Sequence, residues 1–398
     1  MSDLYLTGIG HLTTNESDPI VDAVVVVENG SILYAGSAGD APEAGNRKPL
    51  DCGGRSVIPG FIDAHTHVVF AGDRSSEFRR KMAGESYQSI AAGGGGILGT
   101  VRATRAASEV QLFEMATRRV RRMISSGTTT VEIKSGYGLD TETEARILRV
   151  ARRIGEDLPV TVRATFLGAH AVPPEFEDDR DGYIRRIVDD MLPAMARLAD
   201  YCDVFVEEGA FSVDEARTIL TSAMGHGLRP RVHAEQLTRT GGAMLAAELG
   251  AASADHLDHA NPDDAAAMAE SGVAAVLVPG ASYMLRSPQA PGPMLWEAGC
   301  VVAVATDCNP GTSYLESMGL AISLSVVQMG LTVEQAIWAA TRGGALSLGL
   351  DDRGVLTPGA VADMVILDAP TPDHIPYRPA TNLAWATIAG GHVAHRVE

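Results

Sequence analysis

The chain has 398 residues, 45% of them hydrophobic and 21% charged, with a net charge of -18. That length accommodates a barrel-sized domain of ~250 residues beside a smaller unit, and the composition is that of a protein able to bury a large core. The negative charge argues against a nucleic acid or an anionic membrane surface as a partner, because both call for a basic face.

The opening residues, Met1 to Thr7, lack the basic and apolar pattern of a targeting leader, and no apolar run reaches the length of a membrane span, so a cytoplasmic location is expected. Residues 1–57 read as short strands broken by turns. A β-branched run then leads into Pro59-Gly-Phe-Ile-Asp-Ala-His65-Thr-His67, inside an expected strand at 61–70. Residues i and i+2 of a strand share a face, so the two imidazoles can converge on one divalent cation. On its own His-x-His also describes two ordinary core or surface histidines. Three later apolar runs end in polar constellations of their own, at His233-Ala-Glu235-Gln236, Asp255-His256 and Thr306-Asp307-Cys-Asn309, and together they favour a site. The glycine-rich run at 91–96 suits either a loop against substrate or a plain linker.

Seven further strands are expected, at 128–134, 160–167, 202–206, 231–233, 251–255, 274–278 and 301–306. Helical patterns lie among them at 108–126, 141–154, 183–198, 212–226 and 242–249. Strands alternating with helices imply a parallel sheet, and eight such units imply a closed (β/α)8 barrel. Such a barrel carries its chemistry at the C-terminal ends of the strands, where His65, His67, Tyr137, His170, His233, His256 and Asp307 all fall. Residues 354–398 return to short strands. Neither end of the chain has enough alternating surface for a core of its own, so 1–57 and 352–398 are expected to pair as one small β-sandwich beside a barrel at 58–351. The four cysteines, Cys52, Cys202, Cys300 and Cys308, are scattered without C-x-x-C spacing, which points to reduced thiols, and Cys308 reads as a packing residue.

The string Pro59-Gly-Phe-Ile-Asp-Ala-His-Thr-His67 with the late Ala305-Thr-Asp307 resembles the amidohydrolase superfamily. Within it, Phe70-Ala-Gly-Asp-Arg74, Glu132-Ile-Lys-Ser-Gly-Tyr-Gly-Leu139, Phe166-Leu-Gly-Ala-His170, His233-Ala-Glu-Gln-Leu-Thr238, Ser253-Ala-Asp-His256 and Thr306-Asp-Cys-Asn-Pro-Gly311 resemble the hydrolases that open the imidazolone ring in histidine degradation. The resemblance implies hydrolysis of the cyclic amide of 4-imidazolone-5-propanoate to N-formimidoyl-L-glutamate. It implies one divalent metal, zinc or iron, on His65, His67, His233 and Asp307, a set that leaves room for a water. Superfamily members with two metals use a carboxylated lysine on the fourth strand. That strand has no lysine here, so a mononuclear site is expected, with Lys134 a structural charge.

Many cyclic deaminases of the superfamily carry His-x-x-Glu after the fifth strand, whereas this chain has Gln236 in that place. An amide is no general base, which leaves proton transfer to His256, Asp307 or Glu235, with His256 and Asp307 preferred. Arg74 is the expected bidentate clamp for the substrate carboxylate. Tyr137, His170 and Gln236 are expected around the ring, and Asn309, Gly311 and Thr312 around the opened product. A small anionic molecule is thus the expected partner; the sequence does not set the oligomeric state, but a homodimer is common in the superfamily. Another ring hydrolase or deaminase of the superfamily, or a silent metal-binding scaffold, are the alternatives.

Overall fold

The computed structural model describes residues 3–85 and 95–398, so most of the glycine-rich run at 91–96 lies outside the described residues. Eight parallel strands follow one another around a sheet in strict chain order: Phe61–Asp63, Thr128–Lys134, Thr161–Ala169, Tyr201–Phe205, Arg229–Ala234, Ser253–His256, Ala274–Leu277 and Val302–Val304. Helices such as Glu109–Ser125, Thr141–Asp157 and Val213–Gly225 fill the connections. The helix Val213–Gly225 starts where the sequence pattern places it, because Ser212 and Glu215 form a reciprocal capping box. The expected helix at 183–198 is instead three pieces, Arg180–Arg186, a π-type turn Ile187–Met191 and Leu192–Met195. Pro193 lacks an N–H and crowds the preceding turn, and the wider π turn takes up that mismatch.

The first strand is shorter than the expected 61–70. After Asp63 the chain leaves the ladder, and its peptide groups pair with the end of the eighth strand: Asp307 N–H donates to His65 O at 3.0 Å, and His67 N–H to Cys308 O at 3.0 Å. The buried Asp63 carboxylate adds to this seam by accepting from Thr306 N–H at 3.0 Å and Thr306 Oγ1 at 2.6 Å. Lower down, the helical turn Ala339–Gly343 and the helix Gly344–Ser347 wedge between the two strands. A Cβ at Gly343 would lie 2.0 Å from Val302 O, and one at Gly344 2.7 Å from Ile62 O.

Two further sheets are built from the ends of the chain. One has the order Ser31–Ser37, Ala23–Glu28, Leu4–Ile9, Lys48–Asp51. The other has the order His392–Arg396, Ala384–Ala389, Met364–Leu367, Ser56–Pro59, His11–Leu12. Their inward residues, including Leu6, Val25, Val27, Val57, Ile366 and Ile388, form one apolar cluster separate from that of the barrel. Strand Ser56–Pro59 pairs antiparallel with Met364–Leu367, so sequence-distant segments share one sheet.

Candidate metal centre and substrate pocket

The polar residues at the top of the barrel arrive on strands or just past their ends, and several need unusual backbone. Leu139, Glu235, His256, Leu257 and Asp307 all have positive φ, between 54° and 78° for the middle three and 56° and 52° for the first and last. For residues other than glycine this costs on the order of 1–3 kcal/mol each, a cost the surrounding structure must sustain.

Among the described residues, His65, His67 and His233 form the one group of histidines, cysteines and acids placed to share an ion, with ligand atoms all within 4.8 Å of one another. His65 Nε2 lies 3.3 Å from His67 Nε2, and Asp307 Oδ1 lies 3.5 Å from each of them. Nitrogen ligands at ~2.0–2.1 Å from a tetrahedral ion stand about 3.3–3.4 Å apart, so these spacings suit a common centre. The donor chemistry agrees. His65 Nδ1 is 2.6 Å from Asp255 Oδ2, a contact that places its proton on Nδ1 and leaves Nε2 as a lone pair. His233 Nε2 is buried with no hydrogen-bond partner. Burial holds His65 and His67 well below the ordinary imidazole pKa, with Lys134 and neighbouring imidazoles adding to the effect, so both are neutral and fit to ligate. Burial also pushes the Asp307 carboxyl well above the usual range, a tendency that a divalent cation beside it reverses.

Beneath the histidines lies a fully buried charged layer, of which the sequence reading singled out Lys134 and Asp255 but gave no role to Glu132, Asp203 or Arg231. Lys134 Nζ contacts Asp203 Oδ2 at 2.8 Å, Glu132 Oε1 at 2.9 Å and Asp255 Oδ2 at 3.3 Å, and Arg231 reaches Asp255 at 3.2 Å. Asp203 Oδ2 in turn lies 2.9 Å from His233 Nδ1. Burial opposes charge on Asp255, yet Arg231 and Lys134 hold its carboxyl well below the ordinary value. Lys134 is therefore a structural charge, as expected, and it serves carboxylates that orient His65 and His233. Polar residues inside apolar strands such as Cys202-Asp-Val-Phe were the available signal.

His256 stands beside this centre, its ring centroid 5.2 Å from those of His65 and His233, with Nδ1 buried and unpartnered. Burial keeps it neutral, well below the ordinary imidazole pKa, with His233 adding to the shift. Both carboxylate oxygens of Glu235 are taken up by backbone N–H groups. The fifth strand ends at Ala234, and a positive φ turns the Glu235 carboxylate away to accept from Thr240 N–H at 2.7 Å, Gly241 N–H at 3.0 Å and Ala243 N–H at 3.1 Å. Gln236 follows it and is buried.

Around the mouth, the His170 ring stacks on His67 at 5.2 Å, and Tyr137 lies 5.5 Å from His170 and 5.9 Å from His67. Arg74 reaches across from the loop after the first strand. A Cβ at Gly311 would sit 2.4 Å from Arg74 Nη1, and Arg74 Nε donates to Glu77 Oε2 at 3.0 Å. Asn309, Gly311 and Thr312 form one turn, in which Asn309 Oδ1 accepts from Gly311 N–H at 2.7 Å and Thr312 N–H at 2.8 Å. The Asn309 carboxamide also donates to Asp307 O at 2.8 Å, so this side chain fixes the turn under Arg74.

Residues 56–393 match the amidohydrolase family. The imidazolonepropionase of Mycolicibacterium smegmatis is 45% identical over 99% of this chain and 98% of its own, and that of Methylobacterium nodulans is 48% identical over 95% and 96%. Among solved structures, the N-isopropylammelide isopropylaminohydrolase of Burkholderia multivorans superposes with a TM-score of 0.74 at 22% identity over the whole of both chains. The 5-methylcytosine deaminase of Klebsiella pneumoniae gives 0.76 at 15% identity, over 99% of this chain and 98% of its own. These two show the fold. With a family match over most of its length and relatives this similar from end to end, the chain belongs to the amidohydrolase family and, within it, to the imidazolonepropionases.

Proposed function

We propose that the chain hydrolyses the cyclic amide C–N bond of 4-imidazolone-5-propanoate to give N-formimidoyl-L-glutamate, using a single zinc or iron(II) ion per chain. The observation that carries this reading is the convergence of His65, His67 and His233 within 4.8 Å, with Asp307 3.5 Å from two of them. An ion bound there supplies Lewis acidity that brings a water's pKa towards neutrality. The residues of the chain do the rest. Arg74, backed by the Asn309–Thr312 turn, receives the propanoate tail, and Tyr137 and His170 hold the ring over the centre. His256 orients the ring carbonyl and stabilises the developing oxyanion. Asp307 accepts the proton of the attacking water and returns it to the departing ring nitrogen, from a place 3.5 Å from both His65 Nε2 and His67 Nε2. Gln236 lies where it can bond the ring.

With this goes a division into a barrel at 58–351 and a composite sandwich of 1–57 and 352–398, supported by their separate apolar clusters. A cytoplasmic location is supported by four buried, unpaired cysteines. Among the described residues no helix is long and apolar enough to cross a membrane. A homodimer is the proposed assembly, covering the exposed Val327 and Tyr377 on adjoining helices.

The test is turnover by protein loaded with zinc or iron(II), with metal content measured by elemental analysis. One ion per chain and ring opening of imidazolonepropanoate, with no deamination of cytosine, are the expected results. His233→Ala should lose most of the metal and all but a trace of turnover. Full metal content in that variant overturns the ligand assignment.

A further inference from the structure

The loop that carries Tyr137 has almost no freedom, and the cause lies outside it. Glu144, on the helix Thr141–Asp157, is completely buried, and its carboxylate reaches back under residues 135–139. Oε1 accepts from Gly138 N–H at 2.7 Å and Leu139 N–H at 2.8 Å, and Oε2 accepts from Gly136 N–H at 2.9 Å. Three backbone donors within four residues thus converge on one anion. The loop is shaped to allow it. Gly136 and Leu139 have φ of 105° and 56°, and a Cβ at Gly138 would lie 2.7 Å from Glu144 N. Carbonyls of the same loop are also engaged, since Gly138 O accepts from Arg105 Nε at 2.6 Å and Gly136 O from His170 Nδ1 at 3.0 Å.

These bonds join residues whose side chains flank the metal centre. The Gly136 peptide is held by Glu144 through its neighbouring N–H and holds His170 through its O, so one carboxylate fixes the Tyr137 backbone and the His170 ring together. A carbonyl oxygen can only accept, so the 3.0 Å contact with Gly136 O puts a proton on His170 Nδ1 and fixes that edge of the ring to the loop.

We propose that Glu144 is a positioning residue for substrate binding, acting through Tyr137 and His170 without touching substrate or metal. The inference rests on the reading that Tyr137 and His170 contact the ring. A glutamine there has the same shape but turns an NH2 towards one of the three N–H groups, so the clamp is weakened where donors face each other. The experiment compares KM, kcat, metal content and amide hydrogen exchange in Glu144→Gln, in Tyr137→Phe/His170→Ala, and in the combination. Glu144→Gln should raise KM about tenfold, a cost typical of lost positioning, with a smaller change in kcat and the metal retained. It should also speed exchange at Gly136, Gly138 and Leu139. In the Tyr137→Phe/His170→Ala background, Glu144→Gln should change KM less than about twofold, because groups acting as one unit are not additive. If Glu144→Gln does not fold, Glu144→Asp, which keeps the charge on a shorter arm, should show the same split at smaller size. An unchanged KM in the folded variant, or the same fold-change in both backgrounds, overturns the inference. An unchanged KM in Tyr137→Phe/His170→Ala itself refutes the substrate role of those two residues and takes the inference with it.

Discussion

His256 owes its place to two consecutive left-handed residues, with φ of 78° at His256 and 64° at Leu257, which turn the chain so that the ring faces His65 and His233. No hydrogen bond holds Nδ1, so the ring is free to serve a ligand. His256→Asn should therefore keep its metal and lose roughly 100-fold in kcat, the scale of an acid–base group. Glu235→Gln, which alters only a backbone clamp, should lower stability and leave the pH–rate profile in place. Two residues on, Asp258 is buried with Oδ1 unpartnered and Oδ2 accepting from Ser282 at 2.7 Å, and burial pushes its carboxyl up to about 7. A carboxyl whose folded pKa is raised keeps its full stability contribution below the unfolded value near 4 and loses it as pH rises through about 7. Asp258→Asn can still accept from Ser282 and has no charge to bury. Its stability advantage over the parent should grow from pH 4 to pH 7 by up to about 4 kcal/mol and then level off, which thermal melts across that range would show. A constant gap would mean that Asp258 ionises normally.

Among elements, the eight barrel strands were legible because each is an apolar run of strand length bounded by polar or glycine-rich residues, and all eight expected segments overlap observed ones. The residues that converge at the top, His65, His67, His233, His256 and Asp307, were legible as polar groups at strand ends. The layer in which Lys134 and Asp255 pair with Glu132, Asp203 and Arg231 was not. Its members pair across strands up to 120 residues or so apart, and nothing in a local period marks which polar residue in an apolar strand points inward. The clamps were hidden for the same reason. Glu144 looks like a solvated helix charge and Glu235 like a candidate proton carrier until the loop backbone folds onto them. Closure of the barrel depends on small residues where the first and last strands meet. Gly343→Ala would force its Cβ to 2.0 Å from Val302 O and should lower the thermal midpoint by the equivalent of about 1–3 kcal/mol or more. Gly225→Ala, with nothing within 4 Å of its Cβ, is the control and should be near neutral.

For the whole molecule, the pairing of Ser56–Pro59 with Met364–Leu367 sets an order of events on the ribosome. The first of these strands leaves the exit tunnel about 300 residues before its partner, and at ~5–20 residues per second that is a wait of roughly 15–60 seconds. Throughout that interval the apolar Val25, Val27 and Val57 lack the inward faces of Ile366 and Ile388 that cover them in the finished protein. The barrel strands emerge in spatial order and each finds its neighbour already made, whereas the sandwich is completed last. The amino-terminal strands are therefore the stretch of nascent chain with the longest exposure to chaperones, and to each other on neighbouring ribosomes of one message.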